Sequence, residues 1–182
     1  MTSKHTLTLT AYLQSTKAPW TTLLMVKTGQ RAESLVHPPT EFALRVIKGA
    51  KCQTTTGLLT ECARALDFPD YFGHNWDALE ECLADLEWLP AKGYILLFTD
   101  AARVLPDDEA EYETFLEVLR DAGEAWGSGQ AGTGTRRPTP FHVLFAVSEQ
   151  EKSKRARWGM KEINAESTRK PGIRRRAPLK RT

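Results

Sequence analysis

The chain has 182 residues, 41% of them hydrophobic, which suits one domain with extensions better than two full domains. Its net charge is only +2, and it lacks the apolar run of about 18 residues that a membrane-spanning helix needs. The three cysteines, Cys52, Cys62 and Cys82, lack the histidine spacing of zinc sites, so we predict reduced thiols and no metal site. No signal-peptide pattern is present, which predicts a cytoplasmic protein.

The charge is unevenly distributed along the chain. Residues 150–182 hold 12 Lys or Arg and 3 acids, a balance of +9, which leaves −7 for residues 1–149. Residues 67–126 hold 16 Asp or Glu and 3 Lys or Arg, a balance of −13. Such a field repels nucleic acid and attracts cationic surfaces, so this region predicts a basic protein as partner.

Residues 1–40 form an N-terminal extension of uncertain structure. Residues 20–26 predict one strand, and Pro38 and Pro39 interrupt the pattern after it. Three alternatives are open for this extension: an edge strand, a packed flap, or a weakly ordered leader.

Strands and helices alternate from residue 41 onwards. Residues 41–48 alternate apolar with polar side chains and predict a strand, and residues 58–66 have the apolar spacing of a helix. The run 94–98 is continuously apolar, which predicts a strand that is covered on both faces of a parallel sheet. Residues 141–147 are apolar apart from His142 and predict another buried strand. The apolar spacing of residues 107–126 predicts a long amphipathic helix between them. The predicted fold class is therefore α/β, with a parallel sheet packed against helices.

Two stretches lack this periodicity. Residues 127–140 are rich in Gly and turn residues and predict a mobile loop. Residues 150–182 form a basic tail with almost no apolar periodicity, which predicts disorder.

The most informative stretch is residues 68–88, FPDYFGHNWDALEECLADLEW. An advance of about 100° per residue places an apolar set on one side of a helix, predicted to face the core: Trp76, Leu79, Cys82, Leu83 and Leu86. The opposite side carries four acids, with Trp88 on the same side near the helix end: Asp77, Glu80, Glu81 and Asp85. Acids one turn apart repel by a few tenths of a kcal/mol per pair, so this side is either solvated or occupied by a partner.

The residues before this helix predict an ordered loop. Pro69 fixes one backbone angle, and Gly73 allows positive φ. Asn75 is a good N-cap, because its side chain can accept a hydrogen bond from a backbone N–H of the first turn.

This stretch resembles the barstar family of intracellular ribonuclease inhibitors. The resemblance rests on ten residues at fixed spacing, without gaps: Pro69, Tyr71, Phe72, Gly73, Asn75, Asp77, Ala78, Leu79, Cys82 and Leu83. It covers about residues 41–149, the predicted barstar-like domain, and implies a small three-stranded parallel sheet with helices. It also implies a binding mode in which an acidic helix and its preceding loop take the place of RNA phosphates in a ribonuclease cleft.

Carried over residue by residue, the resemblance implies partner contacts at Tyr71, Gly73, Asn75, Trp76 and Asp77. It makes Glu81 the central carboxylate, where the family usually has Asp. Glu80 stands where the family has an aromatic residue, and His74 where it has an acid. In the later helix, Asp121 is implied as a secondary contact.

These observations predict an inhibitor of a basic ribonuclease or ribonuclease toxin, a monomer that forms a 1:1 heterodimer with it. No Gly-rich phosphate loop, metal spacing or nucleophile constellation is present, so we predict neither an enzyme nor a cofactor. The alternative is a nucleic-acid-binding or scaffold protein that uses the basic tail, with the barstar-like domain as an interaction module. A third reading is that the tail shields the acidic helix until a partner displaces it.

Overall fold

A computed structural model of the chain describes residues 8–132, 136–153 and 158–164. The strands are Thr21–Met25 (β1), Phe42–Lys48 (β2), Gly93–Thr99 (β3), Phe141–Val147 (β4) and Lys161–Asn164 (β5). The helices are Leu9–Leu13 (α1), Thr55–Leu66 (α2), Trp76–Asp85 (α3), Glu109–Ser128 (α4) and Glu149–Lys152 (α5). In the described part of the chain, none of the helices combines the length and apolar character that a membrane crossing requires.

The strands form one parallel sheet in the order β2-β3-β4-β1-β5. The α/β class and the parallel sheet are confirmed, but the sheet has five strands rather than three. The two additional strands come from outside residues 41–149. β1 confirms the strand predicted at residues 20–26, and it lies between β4 and β5 rather than at an edge.

The central strands are almost entirely apolar, and both of their faces are covered. Every residue of β4 is buried, as is every residue of β3 except Thr99. One face packs against α2, α3 and α4, and there the rings of Phe98 and Phe145 stack with centroids 4.9 Å apart. The other face packs against α1 and the buried Val36. The sheet therefore lies between two layers of apolar side chains, one on each face.

Helices α2, α3 and α4 begin at the same end of the molecule. The Glu111 carboxylate in α4 accepts hydrogen bonds from the Thr55 hydroxyl at 2.6 Å and from the Trp76 indole N–H at 3.1 Å. One side chain thus joins the first turns of three helices. Because α3 is held in this way and packs on the core, its outer surface is presented on a rigid support.

The beginning of the segment predicted as a disordered tail is part of the fold. Ser148 and Glu151 form a capping box at the start of α5, and the Trp158 side chain is buried in the core. β5 then pairs with β1. The expectation of disorder is wrong for the described residues 150–153 and 158–164, because Trp158 is buried in the core and β5 pairs with β1. Residues 154–157 and 165–182, where the rest of this prediction falls, lie outside the described residues.

His142 lies at the centre of the contact between β4 and the N-terminal extension. It is fully buried, its Nε2 lies 2.8 Å from the Ser15 carbonyl oxygen, and its ring lies 4.3 Å from that of Tyr12. Burial holds the pKa of His142 below its ordinary value, because desolvation penalises the charged imidazolium.

This depressed pKa predicts that the folded protein loses stability on mild acidification. The folded state disfavours protonation, so stability is complete above the ordinary His pKa of about 6.5 and falls as pH drops below it. Urea unfolding at pH 7.5 and pH 5.5 should show this loss in the wild-type protein and a smaller one in His142→Gln. The exposed His37 provides the control. Equal pH dependence of His142→Gln and His37→Gln would contradict the prediction.

Candidate functional site

The loop between α2 and α3 is ordered by its own backbone. Asp67 ends α2 with φ 53°, and the Phe72 N–H donates to the Pro69 carbonyl at 3.0 Å. Asn75 caps α3, as predicted, by accepting a hydrogen bond from the Ala78 N–H at 2.8 Å.

The expectation of positive φ at Gly73 is wrong, because the adjacent His74 adopts it, with φ 49°. A Cβ at Gly73 would lie 3.2 Å from Nδ2 of Asn75, which is closer than an ordinary van der Waals contact. A larger residue at this position would therefore require the capping side chain to shift by a few tenths of an ångström.

The apolar side of α3 is buried as the helical spacing predicts. Leu79, Cys82 and Leu83 are buried, and so is Leu86, which follows the helix with φ 46°. Burial is the main cause that raises the pKa of the Cys82 thiol to about 11, and the charges of Asp85 and Glu81 add to it. The thiol is therefore neutral at physiological pH and serves as packing.

Three acids of α3 are directed to solvent. Asp77, Glu80 and Glu81 are exposed, and their carboxylates have no ion pair or hydrogen bond with any described residue. We call these three residues the acidic face. Because the helix beneath them is fixed, they hold three negative charges in a defined arrangement.

Asp85 differs from the other acids predicted on this side. Its carboxylate lies 3.4 Å from a guanidinium nitrogen of Arg136, which also lies 3.1 Å from the Glu87 carboxylate. The negative charge near the C-terminal end of α3 is therefore paired, while the charge of the acidic face is not paired by any described residue.

Tyr71 lies beside the acidic face and is 73% exposed, the highest exposure of any large apolar side chain in the described ranges. Between this loop and α3 lies a groove of about 410 Å³. Its lining residues are Tyr71, Phe72, Ala78, Glu81, Cys82, Ala84, Asp85, Gln130 and Gly132. The groove thus combines an apolar floor with carboxylates along one side.

The two tryptophans of this region are held by contacts within the protein. The Trp76 indole donates to Glu111 and its ring lies 6.0 Å from that of Phe115, which leaves the side chain half-buried. The Trp88 indole donates to the Leu66 carbonyl at 2.9 Å, and its ring packs edge-on against Phe68. Trp88 does not extend the acidic face, because α3 ends at Asp85 and the helical spacing does not continue to residue 88.

Asp121 projects from α4 and is exposed. At 3.6 residues per turn it lies about 80° around α4 from Glu111, whose carboxylate bonds Trp76 of α3. Its direction is away from the buried side of α4, which contains Phe115, Leu119 and Trp126. Asp121 and the acidic face are thus on the outer surface of the same helix layer.

Among the described residues, no group of three or more His, Cys, Asp or Glu is arranged to hold a metal ion. The exposed carboxylates of the acidic face are hydrogen-bond acceptors. Arg and Lys groups match them best, since charge-assisted hydrogen bonds are shorter and stronger than neutral ones.

Comparison with known families gives one result that bears on this surface. A family model described as Barstar (barnase inhibitor) matches residues 42–146. The matched span is more than half of the 182 residues and contains the loop, α3 and α4. No curated protein gives a significant match to the chain.

Proposed function

The chain belongs to the Barstar (barnase inhibitor) family, and on that premise we propose that it inhibits a basic ribonuclease or ribonuclease toxin by covering its active cleft. In this proposal the acidic face and the preceding loop imitate RNA phosphates. The chain itself performs no reaction. It acts in the cytoplasm as a monomer that forms a 1:1 complex with the enzyme.

The exposure of the acidic face is the main support for the proposal. Asp77, Glu80 and Glu81 are exposed and have no partner among the described residues, on a helix whose other side is fixed in the core. Like charges at this spacing destabilise an isolated helix by a few tenths of a kcal/mol per pair. A partner that supplies cations removes this repulsion and gains charge-assisted hydrogen bonds.

Ribonuclease chemistry explains why such a face inhibits. A ribonuclease must hold a polyanion, so Arg, Lys and His side chains line its cleft and stabilise the charge that develops in the reaction. Carboxylates on a rigid helix can occupy those cations and exclude RNA. The surrounding balance of −13 over residues 67–126 attracts the enzyme at a distance, an effect that salt weakens.

The predicted contact residues have distinct roles in the proposal. Glu81 is the central carboxylate and reaches one methylene further than the Asp that is usual in the family. Tyr71 contributes an exposed ring that can pack on the enzyme. Gly73 and Asn75 are exposed and contact the enzyme from the loop and the helix start, where Asn75 also caps α3. Asp121 provides a secondary contact from α4. Trp76 contributes only the part of its side chain that α4 leaves exposed.

Co-expression tests the proposal. Cells that produce the cognate ribonuclease should survive when they also produce the full chain, and the two proteins should copurify at moderate salt. The captured fraction must cleave RNA once the inhibitor is removed by denaturation. Copurification of a protein with no ribonuclease activity would contradict the proposal.

The basic C-terminal residues favour a second, separable activity in nucleic-acid contact. Residues 165–182 carry seven Lys or Arg and one acid. Clustered cations of this kind bind phosphate backbones without sequence preference. In this proposal the tail retains RNA or DNA independently of the acidic face.

Truncation after Asn164 separates the two activities. The cut must fall there, because deletion from residue 152 would remove Trp158 from the core and β5 from the sheet. We expect the truncated chain to inhibit the ribonuclease as the full chain does and to elute from a heparin or RNA column at lower salt. Weaker inhibition would instead make the tail part of the interface, and an unchanged elution would exclude nucleic-acid retention by the tail.

A further inference from the structure

The turn that follows α4 lies against the C-terminal half of α3. Gly129 ends α4 with φ 79°, and the Arg136 N–H donates to its carbonyl at 2.9 Å. Ala131 is fully buried, so the described first part of this turn, residues 129–132, is packed against the domain. Gln130 and Gly132 form part of the wall of the groove that Tyr71 and α3 also line.

Arg136 joins this turn to the end of α3. One guanidinium nitrogen donates to the Asp85 carbonyl at 2.9 Å, and the other contacts the Asp85 and Glu87 carboxylates. The guanidinium also lies over the Trp126 ring, 5.2 Å from its centroid. A Cβ on Gly132, which has φ 73°, would lie 2.6 Å from this guanidinium. Only glycine leaves Arg136 in this position.

Arg136 determines how much unpaired charge the groove contains. Of the acids that line it, Asp85 is paired with Arg136, and only Glu81 has no partner among the described residues. The floor beneath Glu81 is apolar, with Phe72, Ala78 and Cys82. A planar guanidinium can hydrogen-bond one carboxylate while it stacks on an aromatic ring, whereas a lysine ammonium is a hydrated point charge.

We infer that Arg136 determines which cationic groups of a partner the groove beside Glu81 accepts. By cancelling the charge of Asp85, it limits the groove to one guanidinium, bound to Glu81 between Tyr71 and the Gln130–Gly132 wall. This inference rests on the proposed function, because the guanidinium is assigned to an arginine of a ribonuclease cleft.

Small cationic probes test the groove without any ribonuclease. N-acetyl-argininamide, a monocation, is titrated into the 15N-labelled full chain, with N-acetyl-lysinamide as its matched control. The expected result is chemical-shift change at the backbone amides of Tyr71, Gln130 and Gly132, larger for the arginine probe, and none at Asp121. No change at Gln130 and Gly132, or equal effects of the two probes, would overturn the inference.

Charge variants then test the role of Arg136. Arg136→Gln should bind an acetylated, amidated Arg-Arg dipeptide about two- to fivefold more tightly than wild type, because Asp85 becomes free to accept the second cation. Arg120→Gln, which removes the same charge from the exposed part of α4, should change this affinity by less than about half as much. Equal effects of the two substitutions would overturn the inference, because they would reduce it to net charge.

A second variant covers the case in which Arg136→Gln does not fold. Asp85→Asn removes the carboxylate that neutralises the Arg136 guanidinium, so N-acetyl-argininamide and the Arg-Arg dipeptide should both bind more weakly. Stronger binding of either of these probes would contradict the assignment. If the probes bind as expected but no ribonuclease is inhibited, the proposed function alone fails. If a ribonuclease is inhibited but the probes leave the groove unaffected, this inference alone fails.

Discussion

Replacing Asp77 and Glu81 together with alanine is expected to weaken binding of the cognate ribonuclease by roughly two hundredfold to several thousandfold. Removal of one member of a desolvated ion pair costs about 3–5 kcal/mol, because the other charge stays buried without a partner. The fold should survive, since both side chains are exposed and lack partners among the described residues. Asp77 lies in the first turn of α3, so its loss should cost about 0.3–1 kcal/mol of helix stabilisation.

A matched pair of substitutions separates direct contact from overall charge. Glu117→Ala with Glu124→Ala removes two exposed carboxylates from α4 but leaves the acidic face unchanged. This control should lower the association rate slightly through weaker long-range attraction, with less than about a tenfold loss of affinity. Dissociation constants measured for both double variants decide the question. Equal losses would mean that net charge, and not the acidic face, holds the enzyme.

Replacement of Glu61 by alanine should produce the largest loss of folding stability among single charge removals. Glu61 is only 2% exposed, and its carboxylate accepts hydrogen bonds from the Arg64 guanidinium at 2.6 and 2.8 Å and from the Lys48 N–H at 3.2 Å. Truncation leaves these donors without their acceptor, at a cost of about 2–4 kcal/mol. Urea unfolding should show this loss for Glu61→Ala and less than about 0.5 kcal/mol for the exposed Glu80→Ala.

The contribution of Glu61 to folding stability should also depend on pH in a defined direction. Hydrogen bonds from Arg64 hold the pKa of the Glu61 carboxyl below its ordinary value, although burial opposes this shift. The ionised form is thus favoured in the folded state, and the resulting stability is complete above the ordinary Glu pKa of about 4.3. It is lost as pH falls through the folded pKa. Glu61→Gln should therefore be less sensitive to acidification below that value than the wild type, and an equal sensitivity would contradict the assignment.

Local signals in the sequence predict most of the central elements. The apolar runs at 94–98 and 141–147 correspond to β3 and β4, and Asn75 caps α3. Each of these features depends on side chains close together in the sequence, so periodicity and capping chemistry identify them. The pairing of β1 and β5 depends on partners that are distant in the sequence. β5 has only four residues and becomes a strand because β1 lies beside it.

In the candidate site, too, the sequence predicts the features that depend on neighbouring residues and not those that depend on distant ones. The helical spacing of α3 predicts the exposure of Asp77 and Glu81, because the opposite side is buried. It does not predict the pairing of Asp85, because Arg136 is 51 residues away in a segment without periodicity. Nor does it predict that Glu111, 35 residues from Trp76, accepts the bond of that indole. Ion pairs and hydrogen bonds between residues far apart in the sequence can be identified only from the folded structure.

Steady-state inhibition kinetics test most directly whether the acidic face occupies the place of RNA in a ribonuclease cleft. The cognate ribonuclease is assayed with a short RNA substrate at several substrate concentrations and several concentrations of the full chain. Competitive inhibition is expected, with an apparent inhibition constant that rises linearly with substrate concentration and a maximal rate that stays unchanged. An inhibition constant that does not depend on substrate concentration, with a reduced maximal rate, would contradict it.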